Sequence, residues 1–427
     1  MPPSTDRLGP IAATVLLLAG ALLIRPFGDF RDPAVLPPFL AGAMVMSLAF
    51  LLALRFPPTR NFWFWAPPIA ARLVLLTMAP GDDIFRYIWE GRIQLSGFSP
   101  YCLAPDHPTL APLRDNFIWP QVGHHSVTAI YPPLTELFFR AVAAVSPSVF
   151  AMKAAITAFD LLACALLYRQ FGAGAALYVW NPLVIYSFAG AGHYDSLFIL
   201  SLAAAFHLWE RGDSARNRLL ACLALGAGVA LKWLSLPLLL WALCRTLRID
   251  GPRRSALATL AAATPFAVSF PLVANGHWLC PLAPPAFSHS ARSAEALPAL
   301  LGSFLPDRHP LDSNVAYLLL FLALAFFLLR RLRDIRPAAY ASFAAALLTT
   351  PMFHAWYATW LLPAAAGLRP GAPAVLCISS FVYFWLHVHI AAPGGEWRQS
   401  PLEKALLWGP FLAALLWDHL RERRRNR

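Results

Sequence analysis

The chain of 427 residues is 58% hydrophobic and 13% charged, with a mean hydropathy of +0.56, a balance that excludes an ordinary soluble domain. A net charge of +12 would suit a nucleic-acid partner, but the Lys and Arg residues fall mainly in short joints between apolar runs. That is the positive-inside pattern of a helical membrane protein, and it excludes nucleic acid.

In chain order, apolar runs predict membrane segments at 8–24, 35–54, 62–79, 134–148, 151–168, 172–190, 193–209, 217–244, 255–274, 314–330, 337–350, 354–368, 372–392 and 402–420. The expected fold is an all-α polytopic membrane protein of about 11–14 membrane segments, forming one integrated domain over 1–427. The first run follows a lone Arg7 and lacks a small-residue cleavage site, so it reads as a retained helix. Several runs are short or contain Pro, which predicts kinks and half-helices. No internal repeat is visible.

Placing the basic joints in the cytoplasm puts Arg55, Arg60, Arg169, Arg211, Arg216, Arg218, the 245–254 and 330–336 joints, Arg369 and the basic C-terminus on one side. The two long hydrophilic intervals, 80–133 and 275–313, then lie together outside the cytoplasm. An ordinary span at 134–148 would invert everything after it, so this segment is expected to dip in and return. The 217–244 run, interrupted by Lys232 and Pro237, suits two short arms better than one straight span.

The interval 80–133 is the longest polar, aromatic and proline-rich stretch, and it opens on Asp82 and Asp83 where an apolar run ends. Such a carboxylate pair serves as a general base, as a divalent-metal site, or as a partner for the protein's own Arg86 and Arg92. If the stretch is helical, Asp83, Arg86, Tyr87 and Glu90 share one face, with Arg92 beyond them. A carboxylate, a cation and aromatics at the membrane boundary suit a sugar hydroxyl or a phosphate. Farther on, His193 and Asp195 begin an apolar span, where polar groups are costly unless they line a wet cavity; the alternative is a helix capped by Asp195. Lys232, inside GVALKWLSLPLLL, either snorkels to an interface or holds a lipid phosphate. His354 either caps a broken helix or orients a substrate. His124, His125, His387 and His389 have no third and fourth ligand at suitable spacing, so no metal site is assigned. The six cysteines, Cys102, Cys164, Cys222, Cys244, Cys280 and Cys377, show no CxxC spacing and read as small packing residues. Interval 275–313, with His277, His289, Arg292, Glu295, Asp307, Arg308 and His309 among prolines, reads as a lid or an acceptor-binding loop.

The run GDDIFRYIWEGRIQLSGFSPY, followed by AP, LRD and IYPP, resembles the first extracytoplasmic loop of bacterial GT-C fold glycosyltransferases, the mannosyltransferase-like members that use polyprenyl-phosphate sugars. Ser99-Pro100-Tyr101 stands where Asn-Pro-Tyr is common, and Tyr131-Pro132-Pro133 matches the entry to the next membrane segment. Trp180-Asn181-Pro182-Leu183, Gly192-His193-Tyr194-Asp195 and His354-Ala355-Trp356-Tyr357 resemble further family segments, with Tyr194 replacing an Asn. The resemblance implies a GT-C-like bundle with a catalytic first loop at 80–133 and a second loop at 275–313. It implies Asp83 as the catalytic acid by its spacing to Tyr87, with Asp82 as a supporting acid or the true base. Arg86, Tyr87, Glu90, Arg92, Tyr101, Tyr131, His193, Asp195, Lys232, His354, Trp356 and Tyr357 are then the substrate-binding candidates.

The implied reaction moves a hexose, mannose by resemblance, from a polyprenyl-phosphate donor to a hydroxyl of a lipid or cell-envelope glycan, with inversion. It would run on the extracytoplasmic side of the bacterial inner membrane, among membrane lipids. Lys232 and Arg86 would meet the leaving phosphate, so no cofactor is required, although the Asp pair leaves a divalent metal open. The rival readings are a transporter or flippase of a lipid-linked sugar, which should show two related halves with paired broken helices, and a membrane acyltransferase built on His354.

Overall fold

A computed structural model describes residues 5–58, 60–280, 282, 292–304, 314–368 and 371–425. His289, Asp307, Arg308, His309 and Arg369 therefore lie outside the described residues. Among those described there is no strand, only an isolated bridge between Ser293 and Met352. The protein is an all-α polytopic membrane protein, as its apolar runs require. Four described helices are long and apolar enough to cross a membrane, Pro33–Arg55, Val149–Val179, Pro252–Ala274 and Ala372–Ala391, and Leu8–Ile24, Pro182–Ala191 and Asn314–Leu329 are shorter apolar helices.

The first helices are α1 (Thr5–Ile24), α2 (Leu36–Arg55), α3 (Asn61–Leu75), α4 (Asp83–Leu95), α5 (Pro133–Val145) and α6 (Val149–Phe171). The 134–148 run is α5, whose 13 residues rise only about 20 Å and fall short of a hydrocarbon core of about 30 Å. The 172–190 run is broken into α7 (Ala176–Val179), α8 (Pro182–Ile185) and a π-turn, Tyr186–Ala191. Asn181 caps α8 by accepting from Leu183 N and Val184 N, and Pro182 at its first position prevents continuation from α7.

There follow α9 (Asp195–Glu210), α10 (Ala215–Leu231), α11 (Leu236–Asp250) and α12 (Pro252–Ala274). The 217–244 run breaks at Lys232, which is extended at φ −158° and ψ 122°, and α11 restarts with Pro237 in its first turn. At Gly226 the backbones of α10 and α12 come so close that a Cβ would lie 2.0 Å from Ala262 O, which only glycine allows. The rest of the described chain adds α13 (Leu297–Gly302), α14 (Asn314–Leu329), α15 (Ile335–Thr349), a 3₁₀ run Ala355–Leu361, α16 (Leu362–Ala365), α17 (Ala372–Ser379), α18 (Trp385–Ala391) and α19 (Pro401–Arg425).

Arg72 of α3 and Asp160 of α6, both fully buried, join at 2.6 Å. Tyr178 OH donates to the other Asp160 oxygen, and Arg72 Nη1 donates to Pro68 O and Val179 O, so the pair ties α3, α6 and α7 together.

Several of the basic and polar joints gather at one end of the bundle. Tyr168 donates to Asn61, Gln170 and Arg336 both donate to Glu210, and Arg336 also reaches Ala366 O. The two long intervals meet one another elsewhere, and here the cysteine reading is corrected. Cys102 and Cys280, taken from the sequence as packing residues, form a disulfide across a separation of 178 residues. Beside it Asn275 Nδ2 donates to Gly97 O, and Tyr101, Ala129 and Val273 form a small core.

Candidate functional site

Helix α4 starts at Asp83, with Asp82 accepting from the Asp83 amide as its cap. The strap before it is tied to the π-turn by Gly81 N donating to Ala191 O at 2.9 Å. The π-turn ends on Gly192, whose φ of +82° is natural only for glycine, and the His193 amide returns to Ser187 O at 2.9 Å. These two devices bring His193 Nδ1 to 3.5 Å from Asp83 Oδ2, which also accepts from Tyr87 OH at 3.5 Å.

Among the described residues, neither Asp82 nor Asp83 pairs with an arginine. Arg86 binds Glu90 at 2.8 Å and Arg92 binds Asp115, so the internal salt-bridge reading of the aspartates is not realised. The face expected to carry Asp83, Arg86, Tyr87 and Glu90 divides into two contacting pairs, Asp83 with Tyr87 and Arg86 with Glu90. Arg86, expected to meet a phosphate, is a loop latch instead. Its Nη1 donates to Gly123 O and His124 O, and its Nη2 to Val127 O and Thr128 O, which leaves no guanidinium nitrogen unengaged. Tyr101 OH donates to Tyr131 O and holds the loop, while Tyr131 packs edge-on to Tyr87 and Tyr194.

Asp195 does not cap α9; Tyr194 occupies the cap position. Its Oδ1 instead accepts from Lys232 Nζ at 2.6 Å and from Trp360 Nε1 at 2.7 Å. Lys232 therefore points inward rather than snorkelling, and its ammonium lies 5.3, 4.7 and 4.5 Å from the ring centres of Tyr194, Tyr357 and Trp360. His354 stands at the N-cap position of the 3₁₀ run, as the capping reading expects, but its side chain makes no cap bond: Nδ1 is 2.6 Å from Tyr383 OH, and its ring stacks on Trp356 at 4.6 Å. The other side of Trp356's environment is His193, stacked at 3.5 Å with an interplanar angle of 17°. His389 pairs with Glu403, away from this group.

The two carboxylates are reachable by solvent although protein crowds them, as at the floor of a recess. They stand at the start of α4, outside the membrane-spanning helices. Crowding by protein and then the Asp83 charge push the Asp82 carboxyl up. The same crowding would raise Asp83, but the His193 hydrogen bond, together with the charges of His193, His354 and Lys232, outweighs it and holds Asp83 below its ordinary value. Of two neighbouring acids, one is thus kept ionised and the other biased toward its protonated form, a division suited to a base and a supporting acid.

The candidates brought together are Asp82, Asp83, Tyr87, Tyr131, His193, Asp195, Lys232, His354, Trp356 and Tyr357; Arg86, Glu90, Arg92 and Tyr101 are turned to holding the loop. Sequence reasoning missed Trp360 and Tyr383, which join by tertiary contact alone. It also passed over Lys153, buried in the structure, whose place inside the apolar 151–168 run was the visible signal. Among the described residues, no three His, Cys, Asp or Glu side chains cluster as a metal site.

The family described as alpha-(1->6)-mannopyranosyltransferase, N-terminal domain, matches residues 34–248, half of the chain. The match covers Asp82, Asp83, His193, Asp195 and Lys232, and stops before His354 and the aromatics around it. No curated protein matches the chain, and no solved structure matches it.

Proposed function

The chain belongs to the alpha-(1->6)-mannopyranosyltransferase family, a family of glycosyltransferases acting on mannose, and on that premise we propose that it is a GT-C enzyme moving mannose from a polyprenyl-phosphate donor to a hydroxyl of a lipid or cell-envelope glycan. The family description favours the 6-hydroxyl of an acceptor mannose. The observation that carries the reading is the Asp83 carboxylate: the first residue of α4, 3.5 Å from His193 Nδ1 and, among the described residues, without an arginine partner.

In the proposed step the acceptor oxygen attacks the anomeric carbon as Asp83 takes its proton. The bond from that carbon to the phosphate oxygen breaks, and the polyprenyl phosphate leaves with the electron pair, so the configuration inverts. Lys232 meets the leaving phosphate with the ammonium hydrogens not bound to Asp195. The rings of Trp356 and Tyr357 offer faces for a sugar. Because Lys232 answers the leaving-group charge, the reaction needs no metal or other cofactor.

The extracytoplasmic side of the inner membrane is the proposed place of reaction. Two observations support it: the Cys102–Cys280 disulfide joins the loop carrying Asp83 to the second long interval, and disulfides persist in oxidising compartments. Three of the basic joints that favour the cytoplasm, at 169–170, 210–211 and 330–336, meet at Glu210 instead.

Purified protein in nanodiscs, supplied with polyprenyl-phosphate mannose and an alkyl mannoside acceptor, should transfer mannose with or without EDTA, and Asp83→Asn should abolish the transfer. Movement of the lipid-linked sugar between leaflets of liposomes, with no transfer to any acceptor, would replace this reading by a flippase.

A further inference from the structure

The proposed step leaves a buried lysine unused. Lys153, in the first turns of α6, is 0% exposed and has no carboxylate partner among the described residues. An ammonium so placed is costly unless its hydrogens are taken up. They are directed at main-chain oxygens: Nζ donates to Leu75 O at 3.0 Å, which also takes the Met78 amide, and to Met78 O at 2.7 Å, at and just beyond the end of α3. From Met78 the chain runs directly into the strap that carries Gly81, Asp82 and Asp83.

The stem of the same side chain lies against the opposite wall of the site. A Cβ on Gly192 would stand 3.1 Å from Lys153 Cγ and 2.7 Å from Ile84 Cδ1. Gly192 is the left-handed residue that aims His193. One lysine therefore touches both the segment leading to Asp83 and the turn leading to His193, two groups that depend on a contact of 3.5 Å.

We propose that Lys153 is a positioning residue for the transfer reaction, holding the strap of Asp82 and Asp83 in register with Gly192 and His193 without touching either substrate. The inference rests on Asp83 being the base. Asp83 is faced by Asp82, Tyr87 and Glu90 on its own element, Tyr131 from the loop, His193 and Tyr194 after the π-turn, Lys232 from the break, and His354, Tyr357 and Tyr383 from the C-terminal part, and its low-lying ionisation depends on the His193 contact among them. Loosening the register weakens that bond and moves the ionisation of Asp83 upward.

The test compares Lys153→Met, Lys153→Gln and Asp83→Asn in the full-length protein, with polyprenyl-phosphate mannose and an alkyl mannoside. Methionine removes the buried charge at similar volume, and glutamine keeps a hydrogen-bond donor. Lys153→Met is expected to remain folded, lose about 100-fold in kcat with the donor KM unchanged, and show its acid limb of kcat at higher pH than wild type. Lys153→Gln should recover part of the rate. A folded Lys153→Met with wild-type kcat and acid limb overturns the inference, and if Asp83→Asn is inactive in the same series the base reading survives alone. Wild-type transfer by Asp83→Asn overturns the base reading and the Lys153 role with it. Should Lys153→Met fail to fold, Lys153→Gln decides by the same acid limb; failure of both to fold makes Lys153 part of the scaffold and overturns the inference.

Discussion

Arg72 with Asp160, and Asp83 with His193, are both charged groups set into an apolar helical bundle, and they are completed in opposite ways. Around Arg72 each nitrogen finds an acceptor: Asp160, Pro68 O, Val179 O and the Cys164 sulfur. Asp160 accepts from Tyr178 as well, and both charged residues are closed to solvent. Around Asp83 the contacts are long, at 3.5 Å to both His193 and Tyr87, its neighbour Asp82 has no arginine among the described residues, and the carboxylate is open to solvent. Complete satisfaction marks a scaffold joint, because nothing remains for a ligand to bind. Incomplete satisfaction beside a second polar cluster, Asp195 with Lys232, leaves hydrogen-bonding capacity that the proposed substrate would complete.

Exchanging the two behaviours by mutation is the most direct way to break this comparison. Asp83→Asn should lower mannosyl transfer by about 10²–10⁴-fold while thermal unfolding in detergent stays where it was. A large loss of thermal stability there would make Asp83 another scaffold residue. Asp160→Ala should do the reverse, destabilising the fold by about 3–5 kcal/mol because it strands a buried guanidinium, and the yield of monodisperse protein reads this out. Wild-type stability in Asp160→Ala would remove the scaffold half of the contrast.

Smaller effects sharpen it. Lys232→Met should reduce the rate by about 1.5–3 kcal/mol of lost charged hydrogen bonding to the leaving phosphate, measured with saturating acceptor. An unchanged rate would assign Lys232 only to Asp195. The smallest effect is on pH. Asp83 is held low, so it is ionised at neutral pH, and activity is lost only as falling pH protonates it below the ordinary carboxylate range. An acid limb close to neutral pH would give the controlling ionisation to another group.

Local patterns in the chain reached some of these features and missed others for physical reasons. The helical reading of the Asp83 stretch placed Tyr87 correctly against the carboxylate, because i and i+4 neighbours are set by helix geometry. Pro237 after Lys232 announced the break between α10 and α11 in the same local way. Arg86 was read in the wrong direction, since a long guanidinium can reach any of several partners, and the loop carbonyls at 123–128 that take it are not neighbours in sequence. The disulfide escaped because Cys102 and Cys280 carry no spacing that records a pairing over 178 residues.

Composition and apolar periodicity by themselves determine that this is a helical membrane protein, since burying apolar runs in lipid requires every backbone group to be bonded within its own helix. The order of motifs from Gly81 to Pro133 likewise determines where the acidic loop begins. Only the tertiary structure decides which charges become joints and which stay open. Asp160 and Asp83 are the same side chain, each near an arginine or aromatic in sequence, and their difference arises from what α3, α6, the π-turn and the Lys232 break carry to them across the bundle. Such partners are fixed by packing between distant segments, which leaves no trace in the local order of residues.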